Sequence, residues 1–171
     1  MAADKFGWQN DAKVRSGRGR GFAFAKYKNI AAYCAVGIEL EVERETGRVR
    51  LLRAVAASDS GQAVNPDGIR NQIGGGIVQS ASWTLHEQVD FDTTRILSRD
   101  WSSYPILRFP ELFETVDVYV IDRPGMPFLG TGEASQGPAG AAIANAVYSA
   151  TGVRIRDLPF NAARIKQAIG V

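Results

Sequence analysis

Between Ile38 and Val55 apolar and charged residues alternate in two runs separated by a turn, and no other pattern in the chain restricts its fold as tightly. Leu40 and Val42 alternate with Glu39, Glu41 and Glu43, and Val49 and Leu51 resume the alternation after Thr46-Gly47. A period of two places the apolar residues on one face of a sheet, so the segment reads as a β-hairpin with one buried side. A two-residue turn at Thr46-Gly47 would pair Glu45 with Arg48, Glu43 with Arg50 and Val42 with Leu51, setting opposite charges and apolar partners across from one another. The second strand continues through Ala54-Val55-Ala56-Ala57 to a loop at Asp59-Ser60-Gly61. Short strands are also expected at Asp90-Phe91-Asp92 and Ile96-Leu97-Ser98, and a longer one at Val116–Ile121.

The rest of the periodic sequence is helical. Asn65-Pro66 supplies an N-cap and a residue suited to the first helical position, and Ile69, Ile73, Ile77 and Leu85 recur near helical spacing, predicting a helix over 66–86. A second runs from Pro138 to a Gly152 stop, and Asn161–Ile169 forms a third, amphipathic one. Gly74-Gly75-Gly76 sits inside the first, each glycine costing roughly 1 kcal/mol relative to alanine. Either another backbone packs closely there or a bulky ligand needs the room. Residues 1–21 form a basic, glycine-rich arm, with Lys13, Arg15, Arg18 and Arg20 threaded through Gly17, Gly19 and Gly21. No aromatic side chain is interleaved with the arginines, as single-stranded nucleic-acid binding would require, so the arm reads as a connector leading into a strand.

Composition narrows the function. The 171 residues carry 20 Lys+Arg against 18 Asp+Glu, a formal charge of +2 that suggests no nucleic-acid partner. Cys34 is the single cysteine and His86 the single histidine, which excludes an intrachain disulfide, an iron–sulfur cluster held by this chain, and His-rich zinc sites. The Asp90/Asp92 pair lacks calcium-loop spacing and reads as solvated turn carboxylates. The longest uncharged stretch, Ala134 to Val153, is mostly small and polar, so no membrane span is expected. Met1 to Lys5 has no apolar core of a signal peptide, leaving a cytoplasmic location or a periplasmic one reached with a partner.

Glycines concentrate immediately before the second helix, in Gly130-Thr131-Gly132-Glu133-Ala134-Ser135-Gln136-Gly137-Pro138. Such a loop suits an anion at a helix N-terminus, yet it matches neither the dinucleotide fingerprint nor a P-loop. Glu133 is the sole charge between Arg123 and Arg154. Amid small uncharged neighbours it is either a structural acceptor of helix N–H groups or a general base, ionised but poorly solvated.

From about Gly17 onward the chain resembles the C-terminal part of the molybdenum-cofactor-binding large subunit of the xanthine oxidase family of molybdenum hydroxylases. The isoquinoline 1-oxidoreductase beta-subunit and aldehyde dehydrogenase branch is most similar. The matching stretches are Arg18-Gly19-Arg20-Gly21, Val64-Asn65-Pro66-Asp67-Gly68, Asn71-Gln72-Ile73 with Gly75, Arg99-Asp100-Trp101 with Tyr104-Pro105-Ile106, and Gly132-Glu133-Ala134 with Gln136-Gly137-Pro138.

The resemblance implies an α+β domain over 17–171, with a mixed or antiparallel sheet and packed helices, after a connector at 1–16. It implies a molybdenum-molybdopterin cofactor in the cytosine dinucleotide form, completed by other segments or chains. Glu133 becomes the catalytic base for inserting water-derived oxygen into an electron-poor C–H bond of an aldehyde or N-heterocycle. Gln72 lies beside the pterin, Gly74 and Gly75 leave room for it, Gly132 is a further cofactor contact, and Ala134 and Ser135 lie near the metal, which takes no ligand from this chain. The implied partners are the remainder of the large subunit, a separate 2Fe-2S subunit and the small-molecule substrate. Two departures stand out: Gly74 occupies a position where the branch often has glutamate, and the family subunit is several times longer. By itself the chain should be inactive. The competing reading is a non-catalytic remnant or an assembly module.

Overall fold

A computed structural model describes residues 1–9 and 17–171. After a short helix α1 (Ala2–Phe6) come β1 (Arg18–Lys26), β2 (Tyr33–Val42) and β3 (Val49–Asp59), then helix α2 (Pro66–Leu85), β4 (Thr115–Ile121), α3 (Gln136–Thr151) and α4 (Ala162–Ile169). The strands form one sheet in the order β1-β2-β3-β4, antiparallel except for the parallel β3–β4 pair. The mixed sheet with packed helices is the α+β architecture expected.

Alternation along β2 places Cys34, Val36, Ile38, Leu40 and Val42 on one face, all buried. There they meet Ile73, Ile77, Ala81 and Leu85 of α2 and Ala142, Ile143, Ala146 and Val147 of α3. The Arg-Gly-Arg-Gly run is explained by this layer. Side chains at Gly19 and Gly21 would collide with the α3 backbone at Ala146 and Ala142, so only glycine lets the helix lie on the strand. The arginines of the same strand face the opposite side, where Arg18 pairs with Glu39 at 2.7 Å and Arg20 stacks 4.4 Å from the Phe6 ring centroid. Lys13 and Arg15 of the basic arm lie outside the described residues.

The hairpin register differs from the one expected. Val42 faces Val49, Glu41 faces Arg50 and Leu40 faces Leu51, with Arg50 and Glu41 paired at 2.9 Å. The loop spans four residues, Arg44 to Gly47. Thr46 Oγ1 donates to Glu43 Oε2 at 2.6 Å and accepts from the Arg48 amide at 3.1 Å, while Gly47 adopts a left-handed φ of 74°. A polar turn with a left-handed closing glycine favours this longer loop. The slip is by two residues, so every side chain keeps its expected face.

The strands expected at 90–92 and 96–98 reduce to one isolated bridge, Phe91 with Ile96. Side chains there spend their hydrogen bonds on tight turns instead of a ladder. Asp92 Oδ1 accepts from the Thr94 hydroxyl and from the Thr94 and Arg95 amides, contacts that hold its carboxyl below the ordinary range. Asp100 does the same in the next turn, and the Ser102 hydroxyl and the Ser103 amide lead the contacts that lower it to about 2. Among the described residues no helix is long and apolar enough to cross a membrane.

Candidate functional site

Helix α2 starts where the sequence places it. Asn65 Oδ1 accepts from the Gly68 amide at 2.9 Å and Pro66 occupies the first turn. Helical geometry then aligns Gln72, Gly76, Gln79 and Trp83 at intervals of three and four along one face. Opposite stands the loop that enters α3, and Gln72 Nε2 ties the two together by donating to the Gly132 carbonyl at 2.9 Å. Between them lies an open cleft of about 530 Å³, lined by Asn71, Gln72, Gly75, Gln79, Trp83, Gly132, Glu133 and Gln136 among others.

The consecutive glycines of α2 have separate environments. Gly76 is buried, and a methyl there would collide with Ser135 Oγ. Gly74 faces Val116 of β4, whereas at Gly75 nothing lies within 4 Å of an added methyl. Close packing therefore accounts for Gly76, and open space in the cleft wall accounts for Gly75. Gly132 is likewise open.

Of the residues singled out from the sequence, Gln72, Gly75, Gly132 and Glu133 converge on the cleft. Gly74, Ala134 and Ser135 do not line it. Ala134 and Ser135 are buried behind the loop, and Ser135 Oγ donates to the Ile73 carbonyl at 2.8 Å, anchoring the start of α3 on α2. Glu133 departs from the poorly solvated carboxylate expected: it is exposed, because the loop projects in front of α3 and its small neighbours offer no cover. One oxygen, Oε2, accepts from the Tyr27 hydroxyl at 2.9 Å.

Sequence reasoning missed Gln79, Trp83 and Tyr27. The first two were within reach, since they follow Gln72 at helical spacing. Tyr27 carried no signal, standing 106 residues from its partner.

Four carboxamides, of Asn71, Gln72, Gln79 and Gln136, supply donors and acceptors around the cleft, with Gln136 Nε2 donating to Gln79 Oε1 at 2.6 Å. Half-buried Trp83 supplies an aromatic wall and Gly75 the clearance. This set suits a flat heterocycle rich in hydrogen-bonding edges, as a pterin is. Among the described residues no three His, Cys, Asp or Glu side chains are grouped to hold a metal ion.

The chain is similar to several known proteins. The profile of the molybdopterin cofactor-binding domain family matches residues 1–113. A nicotinate dehydrogenase subunit of Pseudomonas putida is 45% identical over 159 residues, covering 90% of this chain and 13% of that protein. The aldehyde oxidoreductase molybdenum-binding subunit PaoC of Escherichia coli is 33% identical, covering 71% of this chain and 18% of that one. The crystal structure of quinoline 2-oxidoreductase from Pseudomonas putida 86 superimposes with a TM-score of 0.74 at 26% identity, over 81% of this chain and 19% of that one. The curated relatives reach the chain with only 13% to 20% of their own length.

Proposed function

Because the chain belongs to the molybdopterin cofactor-binding domain family, we propose that its cleft forms one wall of the cofactor site of a xanthine oxidase family molybdenum hydroxylase, with Glu133 as general base. When bound, molybdenum-molybdopterin in its cytosine dinucleotide form supplies the two-electron oxidation of a C–H carbon with oxygen drawn from water. Gln72, Gln79 and Gln136 bind the edge of the pterin, and Gly75 lets it approach the α2 backbone. Ser135 and Ala134 keep the Glu133 loop seated on α2. Glu133 takes up the proton released during oxygen insertion, using Oε1, the oxygen not bonded to Tyr27. Relatives named for nicotinate, aldehyde and quinoline chemistry support an aldehyde or an N-heterocycle as substrate.

The remainder of a large subunit completes the cage, in keeping with the small share of each relative that the chain matches. Electrons leave through a separate 2Fe-2S subunit. Cys34 cannot contribute to a cluster, which needs about four thiolates, and burial pushes its thiol up to about 12. The observation that carries the proposal is the Gln72–Gly132 bond, which holds the loop bearing Glu133 at the mouth of a polar, glycine-opened cleft.

Glu133→Gln in the assembled enzyme tests it. The substitution keeps the side chain's shape and removes the base, so turnover should fall about 10²- to 10⁴-fold with molybdenum content unchanged. Undiminished turnover would remove Glu133 from the mechanism and favour a non-catalytic assembly module.

A further inference from the structure

The hydrogen bond from Tyr27 Oη to Glu133 Oε2, at 2.9 Å, has ordinary O–H···O geometry. The surroundings of Tyr27 are built to hold it in place. It follows the last residue of β1; its amide donates to the Ala32 carbonyl at 2.8 Å, and its own carbonyl accepts from the Ala31 amide at 2.9 Å. The chain between these bonds turns through two consecutive left-handed residues, Lys28 at φ 49° and Asn29 at φ 60°. Neither is glycine, and such conformations persist only where the surrounding structure over-determines them. Lys28 Nζ sits 5.3 Å from the Tyr27 ring centroid, a cation–π contact that adds to the packing of the ring.

Tyr27 is not part of the cleft lining, so it reaches Glu133 from outside the cleft. Only Oε2 is engaged; no described residue hydrogen-bonds to Oε1. We infer that Tyr27 is a positioning residue for Glu133: its hydroxyl fixes the carboxylate through Oε2 and presents Oε1 to the cleft. This rests on the reading of Glu133 as the base. A carboxylate on an exposed loop otherwise samples several rotamers, and a base must stay within hydrogen-bond reach of the proton it removes.

The test compares Tyr27→Phe with Glu133→Gln in the assembled enzyme, with rates expressed per bound molybdenum. Tyr27→Phe should lower kcat about ten- to a hundredfold while KM stays within about twofold, since uniform substrate binding is untouched. A crystal structure of the Tyr27→Phe enzyme should show the Glu133 carboxylate in more than one orientation. A wild-type kcat with a single ordered carboxylate, beside an inactive Glu133→Gln enzyme, overturns the role of Tyr27 alone. A fully active Glu133→Gln enzyme overturns both.

Discussion

A methyl group added at Gly76 collides with the Ser135 hydroxyl, which is itself buried and committed to the Ile73 carbonyl, whereas one added at Gly75 meets nothing within 4 Å. Ser135 cannot yield without giving up its hydrogen bond. Gly76→Ala should therefore destabilise the chain by about 1–3 kcal/mol, the range of an overpacked core. Gly75→Ala should stabilise it by about 0.5–1 kcal/mol, since alanine is the better helix former at an unhindered position. Urea midpoints of the two variants would move in opposite directions. Midpoints that fell equally would mean that neither glycine is spared by the cleft. In the sequence these glycines are indistinguishable neighbours, because only the position of α3 decides which of them is crowded. Glu133 shows the same limit. Its isolation among small residues was legible, but its exposure and its bond to Tyr27 depend on a contact across 106 residues.

At the level of elements, local chemistry was the better guide. The start of α2, the Gly152 stop of α3 and the Asn161 cap of α4 fall where their capping residues place them. Asn65→Ala should cost about 1 kcal/mol through loss of the bond to the Gly68 amide, measurable as a lower denaturation midpoint with an unchanged slope. An unchanged midpoint would show that packing alone holds the helix end. The hairpin illustrates what alternation can and cannot decide. Period two assigned each residue its face, while the loop length depended on Thr46 bonding to Glu43 and on the left-handed Gly47 pressed against α4 at Ala162. The bridge at Phe91 and Ile96 marks the opposite case, in which Asp92 and Asp100 turned apparent strands into turns.

Across the whole molecule, the stretch between α2 and α3 leaves large apolar side chains in solvent: Phe91 is 71% exposed, Trp101 65%, Phe109 87% and Phe128 74%. Contiguous apolar exposure marks interaction surface, and we propose that these side chains serve one, in keeping with a chain that matches only 13% to 20% of the length of its curated relatives. Alone in solution it should self-associate through these side chains, and replacing Phe109 and Phe128 by serine should return it toward the monomer in sedimentation velocity. A parent chain that stays monomeric at high concentration would argue against them as interface. By itself the sequence determined the start of α2, the stops and caps at Gly152 and Asn161 and the face of each hairpin residue, because these follow from period, capping chemistry and short-range steric rules, and its motifs carried the resemblance that implied the α+β class; α3 begins at Gln136, two residues before the Pro138 expected. Tertiary structure alone decided that Gln72 bonds to Gly132, that Tyr27 reaches Glu133, and that the glycines of β1 lie beneath α3. Those contacts join segments far apart in the chain, and their geometry is set by how the sheet and the two helices pack, which no local pattern encodes.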